Sequence, residues 1–138
     1  MILIDTGPLV ALVDKADNAH QKILAAFQSL TSAPLTTLPC LTEAFYLIGE
    51  IAGWNGQKTL FALLMSGAIE IHASTDSEMK RIGELMEQYN DKPMDFADAS
   101  LVALAETFNI KTIITLDSDF YIYKIHGKDA FDVVAIIP

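Results

Sequence analysis

The chain has 138 residues, half of them hydrophobic (51%), and its 18 acidic residues against 9 basic ones give a net charge of -9. This balance disfavours a broad nucleic-acid footprint, which normally shows as a basic stripe. No apolar run reaches the roughly 18 residues of a membrane span, and the first residues lack a signal peptide's basic lead, so we expect one cytoplasmic domain over residues 1–138 with no membrane contact.

The first half of the chain alternates short apolar runs with helical patterns. Gly53 and Gly67 suit the C-terminal ends of helices, and Pro39 suits a helix's first turn. The predicted elements are, in order, a strand at 2–4, a turn at 5–8, a helix to about Asp14, a helix from Asp17 through Leu30, a strand at 34–38, a helix from Pro39 to Gly53 and a helix from about Gly56 to Gly67.

The second half continues the same alternation. Thr75 and Glu78 have the spacing of a capping box. The predicted elements are a strand at 68–72, a helix after Thr75, a helix opened by "DFAD" at 95–98, and strands at 112–116 and 133–137. Short apolar strands that alternate with helices predict a three-layer α/β fold in which helices flank a central parallel sheet.

Acidic residues from four separate segments are predicted to meet at one edge of this sheet. Asp5 follows the first strand directly, and Asp117 follows the strand at 112–116. Glu43 lies in the first turns of the helix after the second strand, and Asp98 lies in the first turn of a helix that precedes a strand. All four positions fall at the carboxyl ends of the strands, where ligands bind in such sheets.

Asp95 and Asp98 stand three residues apart at a predicted helix start, where an N-cap and the helix dipole both favour acids. Asp98, however, borders the apolar stripe that includes Val102 and Ala105. Carboxylates gathered in a partly buried cleft need protonation, basic partners or a bound cation. Oxygen ligands of this kind suit Mg²⁺ or Mn²⁺, so we expect Asp98 to bind metal and Asp95 to cap the helix.

Four segments resemble one known family in order and with sensible spacing: "ILIDTGPLVALVDKADNAH", "TLPCLTEAFYLI", "PMDFADASLVALAE" and "IITLDSDFYIY". The sequence is similar to PIN domains, and more closely to the VapC-type toxins of bacterial and archaeal toxin–antitoxin pairs. The resemblance spans nearly the whole chain. It implies a PIN-like (Rossmann-like) fold and a metal-dependent ribonuclease whose acidic quartet maps to Asp5, Glu43, Asp98 and Asp117.

The resemblance also implies neighbours of the quartet and partners of the protein. Thr6 and Thr115 match polar positions beside the acids, and Asp119 could substitute for Asp117 or share its role. Related sequences often carry arginine around positions 118 and 124, where this chain has Ser118 and Lys124, which bears on substrate contacts. The implied partners are an RNA substrate, a small VapB-like antitoxin with a DNA-binding domain, and a second copy of the chain.

The chemistry inferred for the quartet is hydrolysis of phosphodiester bonds in single-stranded RNA, with one or two Mg²⁺ ions that neutralise the phosphate and activate water. Asp5 and Asp98 would bind metal directly, while Asp117 and Glu43 complete the site or orient the water. One alternative is a haloacid-dehalogenase-type phosphatase, which requires a second Asp where this chain has Gly7. Another is a receiver-like or catalytically silent PIN module that binds a partner without cleaving.

Three other features are assigned to packing or assembly. Cys40 is the single cysteine, which excludes an internal disulfide, and we expect it to be a buried, inert thiol. The three histidines show no metal-binding spacing and are interpreted as ordinary surface or packing residues. Residues 41–65 are apolar around much of their helices, which predicts that part of this surface is shared in a homodimer.

Overall fold

The computed structural model describes residues 1–135 and alternates short strands with helices along the chain. The strands are β1 (Leu3–Ile4), β2 (Leu35–Thr37), β3 (Glu70–His72), β4 (Thr112–Thr115), β5 (Lys124–Ile125), β6 (Asp129–Ala130) and β7 (Asp132–Ala135). The helices are α1 (Thr6–Val13), α2 (His20–Gln28), α3 (Leu38–Met65), α4 (Asp76–Gln88) and α5 (Phe96–Phe108), and a 3₁₀ turn spans Ser118–Tyr121.

Five of these strands form one parallel sheet in the order β3-β2-β1-β4-β7. The chain builds outward from β1 through β2 to β3, then returns to add β4 on the other side of β1. The order therefore reverses between β1 and β4, and the crevice outside the carboxyl ends of strands at such a reversal is where α/β sheets bind ligands.

Helices cover both faces of the sheet because its strands are apolar on both sides. Leu3 and Ile113 belong to the core beneath α4 and α5, whereas Ile4 and Ile114 belong to the core beneath α1 and α3. Successive side chains of a strand point to opposite faces, so two consecutive buried apolar residues require a layer of helices on each side of the sheet. The predicted three-layer α/β fold is confirmed.

Most predicted elements are present, with shifted ends. Gly53, at φ 61°, breaks α3 where the sequence predicts one helix to end before another begins. The turn predicted at 5–8 is wrong: α1 begins at Thr6, with Asp5 as its N-cap and Pro8 tolerated in the first turn. The predicted strand at 133–137 corresponds to β7, although residues 136 and 137 lie outside the described part of the chain.

The sequence did not predict the β5–β6 hairpin, which lies between the 3₁₀ turn and β7. Its turn places His126 at φ 54° and Gly127 at φ 67°, the two positive values of a tight hairpin turn. Strands of two residues carry too few positions to show an alternating pattern.

No helix in the described part of the chain combines the length and apolarity of a membrane span.

Candidate active site

The predicted acids do reach the carboxyl edge of the sheet. Asp5 follows β1 directly, and its amide still pairs with the Ile114 carbonyl of β4 at 3.0 Å. Asp117 lies two residues beyond β4, and Asp98 lies in the first turn of α5. Asp5, Asp98 and Asp117 are near enough to repel one another electrostatically. The reversal point of the sheet thus carries a cluster of carboxylates.

Hydrogen bonds from two neighbouring residues fix the Asp5 carboxylate. The Thr6 amide donates to Oδ1 at 2.8 Å, which is the N-cap of α1. The Thr115 hydroxyl donates to Oδ2 at 2.8 Å and accepts from the Asp117 amide at 3.0 Å. Thr115 is buried, and its two hydrogen bonds connect Asp5 to the segment that carries Asp117.

Glu43 joins the site through α1. The Thr6 hydroxyl donates to Glu43 Oε1 at 2.9 Å, which links the first turn of α1 to the second turn of α3. Cys40, one turn earlier in α3, is buried with its Sγ 4.0 Å from Asp5 Oδ1. Burial raises the pKa of the Cys40 thiol to about 12, so the thiol stays protonated and cannot serve as a nucleophile.

Asp95 and Asp98 divide the two roles that sequence reasoning weighed. Asp95 is the N-cap of α5, since its Oδ1 accepts from the Asp98 amide at 2.8 Å. Asp98 makes no such cap. Its side chain is buried, and its Oδ2 accepts a 3.1 Å hydrogen bond from the hydroxyl of Tyr123. Burial, reinforced by the nearby Asp98 carboxylate, raises the pKa of Tyr123, so this hydroxyl remains protonated and donates.

Burial and mutual repulsion disfavour charge on the two innermost acids. The pKa of Asp98 is raised to about 8, first by burial and then by the charges of Asp95 and Asp5. The pKa of Asp5 is raised to about 6 by burial, although the bonds from Thr115 and Thr6 oppose the shift. The ion pairs within residues 1–135 lie elsewhere, at His72–Glu78, Arg81–Glu84, Arg81–Glu106 and Lys111–Asp129. These carboxylates therefore need a proton or a cation.

Asp117 and Asp119 differ in what their carboxylates approach. The charge of Asp117 raises the pKa of Asp5 and Asp98 as well as that of Tyr123, whereas the charge of Asp119 acts on Tyr123. Asp117 also caps the 3₁₀ turn, because its Oδ1 accepts from the Asp119 amide at 2.9 Å. Of the two candidates, Asp117 is the one whose charge acts on both buried acids.

The donor set fits an open site for a hard divalent cation. No three His, Cys, Asp or Glu side chains among residues 1–135 converge on one point as a preformed cage. Mg²⁺ does not require such a cage, since it keeps several waters and is held through one or two carboxylates. Asp98 Oδ1 accepts no hydrogen bond within this part of the chain and is not fully buried, so it is available as a ligand.

An apolar groove of about 800 Å³ adjoins the acids. Glu43 and Asp95 line it together with large apolar side chains from three segments: Leu38 and Tyr46 of α3, Met79 of α4 and Phe96 of α5. Each of these four apolar residues is exposed. The site therefore combines an acidic centre with an apolar surface beside it.

The family model for the PIN domain matches residues 2–125. The chain belongs to the PIN domain family. Among characterised PIN proteins it is similar to Ribonuclease VapC26 of Mycobacterium tuberculosis, with 28% identity over 116 residues that cover 84% of this chain and 86% of that protein. The family and fold predicted from the four sequence segments are thus confirmed.

Solved structures of similar fold include proteins from three bacteria. Mycobacterium tuberculosis VapC20, a toxin that cleaves the sarcin–ricin loop, aligns with a TM-score of 0.80 and 19% identity over 86% of this chain and 92% of its own. A toxin–antitoxin complex from Klebsiella pneumoniae aligns at 0.68 with 20% identity, covering 98% and 97%. VapBC2 from Rickettsia felis, bound to promoter DNA, aligns at 0.68 with 18% identity, covering 96% and 98%.

The PIN fold thus brings Asp5, Asp98 and Asp117 together and attaches Glu43 through Thr6. Sequence reasoning missed Tyr123, whose hydroxyl touches Asp98. It also missed the groove beside the acids, whose lining comes from α3, α4 and α5 and carries no sequence signal as a unit.

Proposed function

We propose that this PIN domain is a metal-dependent endoribonuclease and the toxin of a toxin–antitoxin pair. The observation that carries the proposal is the pair of buried carboxylates, Asp5 and Asp98, which lie at the sheet's reversal point without a basic partner among residues 1–135. Similarity to a ribonuclease over 84% of the chain supports the activity, and the toxin and toxin–antitoxin structures of like fold support the biological role.

The roles proposed for the site residues follow from their contacts. Asp5 and Asp98 bind the cation, and Glu43 and Asp117 complete the site or orient the attacking water. Thr115 and Thr6 hold Asp5 and Glu43 in place through their hydroxyls. A bound Mg²⁺ or Mn²⁺ would supply neutralisation of the phosphate and a lower pKa for water.

The substrate that suits this surface is a short, unpaired stretch of RNA in the cytoplasm. A net charge of -9 gives little electrostatic grip on a long duplex, so binding depends on the site and a few lysines. Lys124, which follows the 3₁₀ turn, stands where related sequences often have arginine.

We further propose that residues 1–138 act as one domain.

The nuclease proposal is tested by incubating single-stranded RNA with the purified protein in Mn²⁺, Mg²⁺ or EDTA. Cleavage should require a divalent ion and should disappear in Asp98→Asn. The control is Asp129→Asn, which removes the same negative charge from a residue outside the site, where Asp129 pairs with Lys111. Cleavage that survives in both EDTA and Asp98→Asn would overturn the proposal, and a wild type that never cleaves would favour the silent binding module.

We propose that a VapB-like antitoxin with a DNA-binding domain occupies the apolar groove. Complementarity supports this occupant: apolar residues of its tail would cover Tyr46, Met79 and Phe96, and a basic side chain would meet Glu43 and Asp95. Arginine suits that position because its fork pairs with carboxylates at two points. Co-expression with the neighbouring gene product should relieve growth arrest.

The groove is tested by Met79→Glu, with Ile71→Glu as the matched control because Ile71 is similarly exposed outside the groove lining. Relief of growth arrest should fail for the first variant and persist for the second. Equal relief in both variants would place the antitoxin on another surface.

We also propose that the chain forms a homodimer through the exposed apolar side of α3. Trp54 is 60% exposed and Ile51 is 56% exposed, although both are apolar. Trp54 and Phe61 are in tilted contact with ring centroids 6.2 Å apart, so they form a continuous aromatic surface. Light scattering at micromolar concentration should show a dimer that Trp54→Glu converts to monomer; a wild type that is only monomeric would contradict the proposal.

A further inference from the structure

Tyr123 is buried completely and held by other aromatic rings. Its ring meets the edge of Tyr89 at 5.2 Å between centroids and that of Phe120 at 5.1 Å. Phe120 in turn packs edge-on against Phe131 of the segment before β7, at 5.5 Å. Edge-to-face pairs of this kind fix ring orientation, so the hydroxyl of Tyr123 points in one direction.

The hydroxyl points at the acidic site. It donates to Asp98 Oδ2 at 3.1 Å, from a residue that follows the 3₁₀ turn at the end of β4. The Tyr123 amide also donates to the Asp119 carbonyl at 3.1 Å, which keeps the ring in register with the segment that begins at Asp117. Tyr123 therefore connects Asp98 of α5 to the far side of the site.

The Asp98 carboxylate needs such a connection because its neighbours repel it. Asp95, Asp5 and Asp117 all carry charge of the same sign, and an aspartate's terminal torsion is broad rather than confined to one narrow angle. A fixed donor on one oxygen opposes rotation of the carboxylate about this torsion. With Oδ2 held by Tyr123, Oδ1 is left without a hydrogen-bond partner among residues 1–135.

We propose that Tyr123 is a positioning residue that holds Asp98 Oδ2 so that Oδ1 is presented to a divalent cation. The inference rests on the proposed function, since it assigns Tyr123 to the same metal site. It predicts that the hydroxyl, and not the ring, determines metal affinity.

Tyr123→Phe isolates the hydroxyl because the ring and its contacts with Tyr89 and Phe120 are retained. The matched control is Tyr89→Phe, which removes a neighbouring hydroxyl that accepts from the Lys124 amide at 3.1 Å and makes no hydrogen bond to an acid in the described part of the chain. Mn²⁺ affinity is measured by titration calorimetry or electron paramagnetic resonance, alongside thermal melting and the kcat and KM of RNA cleavage.

The dissociation constant for Mn²⁺ should rise about 10-fold in Tyr123→Phe, at the lower end of the roughly 10–100-fold loss seen when a partner of a metal ligand is removed. The kcat should fall while the KM for RNA changes little. Tyr89→Phe should lose similar thermal stability with unchanged Mn²⁺ affinity. In an Asp98→Asn background, Tyr123→Phe should add nothing to the loss of Mn²⁺ binding.

The outcomes separate this inference from the proposed function. If the wild type binds Mn²⁺ and cleaves RNA but Tyr123→Phe binds Mn²⁺ as tightly, the inference is overturned and the nuclease stands. If the wild type binds Mn²⁺ without cleaving RNA, the nuclease fails and the affinity of Tyr123→Phe still decides the role of Tyr123. A wild type that binds no Mn²⁺ overturns both.

Discussion

Buried acids in two parts of the molecule differ in their hydrogen-bond partners, although their exposed fractions are alike. Asp5 and Asp98 at the sheet edge are 6% and 8% exposed, and Glu78 of α4 is 5% exposed. Within residues 1–135 the Asp98 side chain accepts from one donor, the Tyr123 hydroxyl. Glu78 has three: the Thr75 amide and the Thr107 hydroxyl, with His72 as an ion-pair partner at 2.8 Å.

The pKa values depend on the partners as well as on burial. Burial alone raises the pKa of Glu78, but bonds from Thr75, Thr107 and His72 outweigh it and lower the pKa to about 2. Glu106 behaves likewise, since burial is opposed by Arg81, whose Nε lies 2.7 Å away, and its pKa is lowered. Acids with complete sets of partners stabilise the fold, whereas acids without them remain able to bind a ligand.

The largest effect expected from this difference concerns activity. Asp98→Asn keeps the shape of the side chain but removes a charge that binds the cation. RNA cleavage should fall by more than about 100-fold, beyond the loss typical of residues that only support a metal ligand. Thermal stability should hold or rise, because repulsion from Asp95 and Asp5 is relieved. Full activity in this variant would remove Asp98 from the site.

Glu78→Gln should show the reverse pattern. It deprives His72, Thr107 and the Thr75 amide of a charged acceptor, so the free energy of unfolding should fall by about 2 kcal/mol. RNA cleavage at 25 °C should be unchanged, since Glu78 lies between α4, α5 and β3. The control is Glu84→Gln on the exposed face of α4, where a surface pair contributes little. Chemical denaturation measures both; equal losses would remove the distinction.

Stability as a function of pH separates the two groups within one protein. Asp98 and Asp5 have raised pKa values of about 8 and about 6 when folded, so their contribution is complete below pH about 4 and is lost as pH rises toward 8. Glu78 has a lowered pKa, so its contribution is present above pH 4.5 and is lost as pH falls toward 2.

The melting temperature in EDTA should therefore peak near pH about 4 and decline on both sides. Asp98→Asn should flatten the alkaline decline, and Glu78→Gln should flatten the acidic one. Mn²⁺ should restore stability at pH 8 in the wild type but not in Asp98→Asn. An alkaline decline that is identical with and without Asp98 would show that other groups cause it.

The sheet and the acidic edge were predictable because both depend on local patterns. Short apolar strands between helices specify a parallel sheet, and Asp5 and Asp117 follow strands directly in the sequence. Their convergence is then a matter of topology. Glu43 was predicted at the same edge because it lies in the first turns of the helix after the second strand, and the resemblance to PIN domains then assigned it to the acidic quartet.

Contacts between distant, unpatterned residues could not be predicted. Tyr123 and Asp98 are hydrogen-bonded although they lie 25 positions apart in the sequence, and the same separation holds for Arg81 and Glu106. Each pairing depends on how α5 packs against its neighbours. His72 was interpreted as an ordinary surface or packing residue, whereas it pairs with Glu78 through the turn that begins α4. Nothing in a run such as "FYIY" distinguishes its buried tyrosine from its exposed one.

The smallest effect is expected at Asp95, which shares features of both groups. Its Oδ1 caps α5 and so stabilises the fold, as the carboxylate of Glu78 does. Its charge, however, is the strongest repulsion that acts on Asp98. Asp95→Ala should cost about 0.5–2 kcal/mol through loss of the cap. Asp95→Asn should cost almost nothing, because Asn caps about as well and one repulsive charge disappears. It should also move the alkaline decline of the melting curve to lower pH, since the pKa of Asp98 falls when that charge is removed. Thermal melting of both variants across pH, with RNA cleavage measured in parallel, decides the point: if Asp95→Asn abolishes cleavage as Asp98→Asn does, Asp95 is a metal ligand and the cap is secondary.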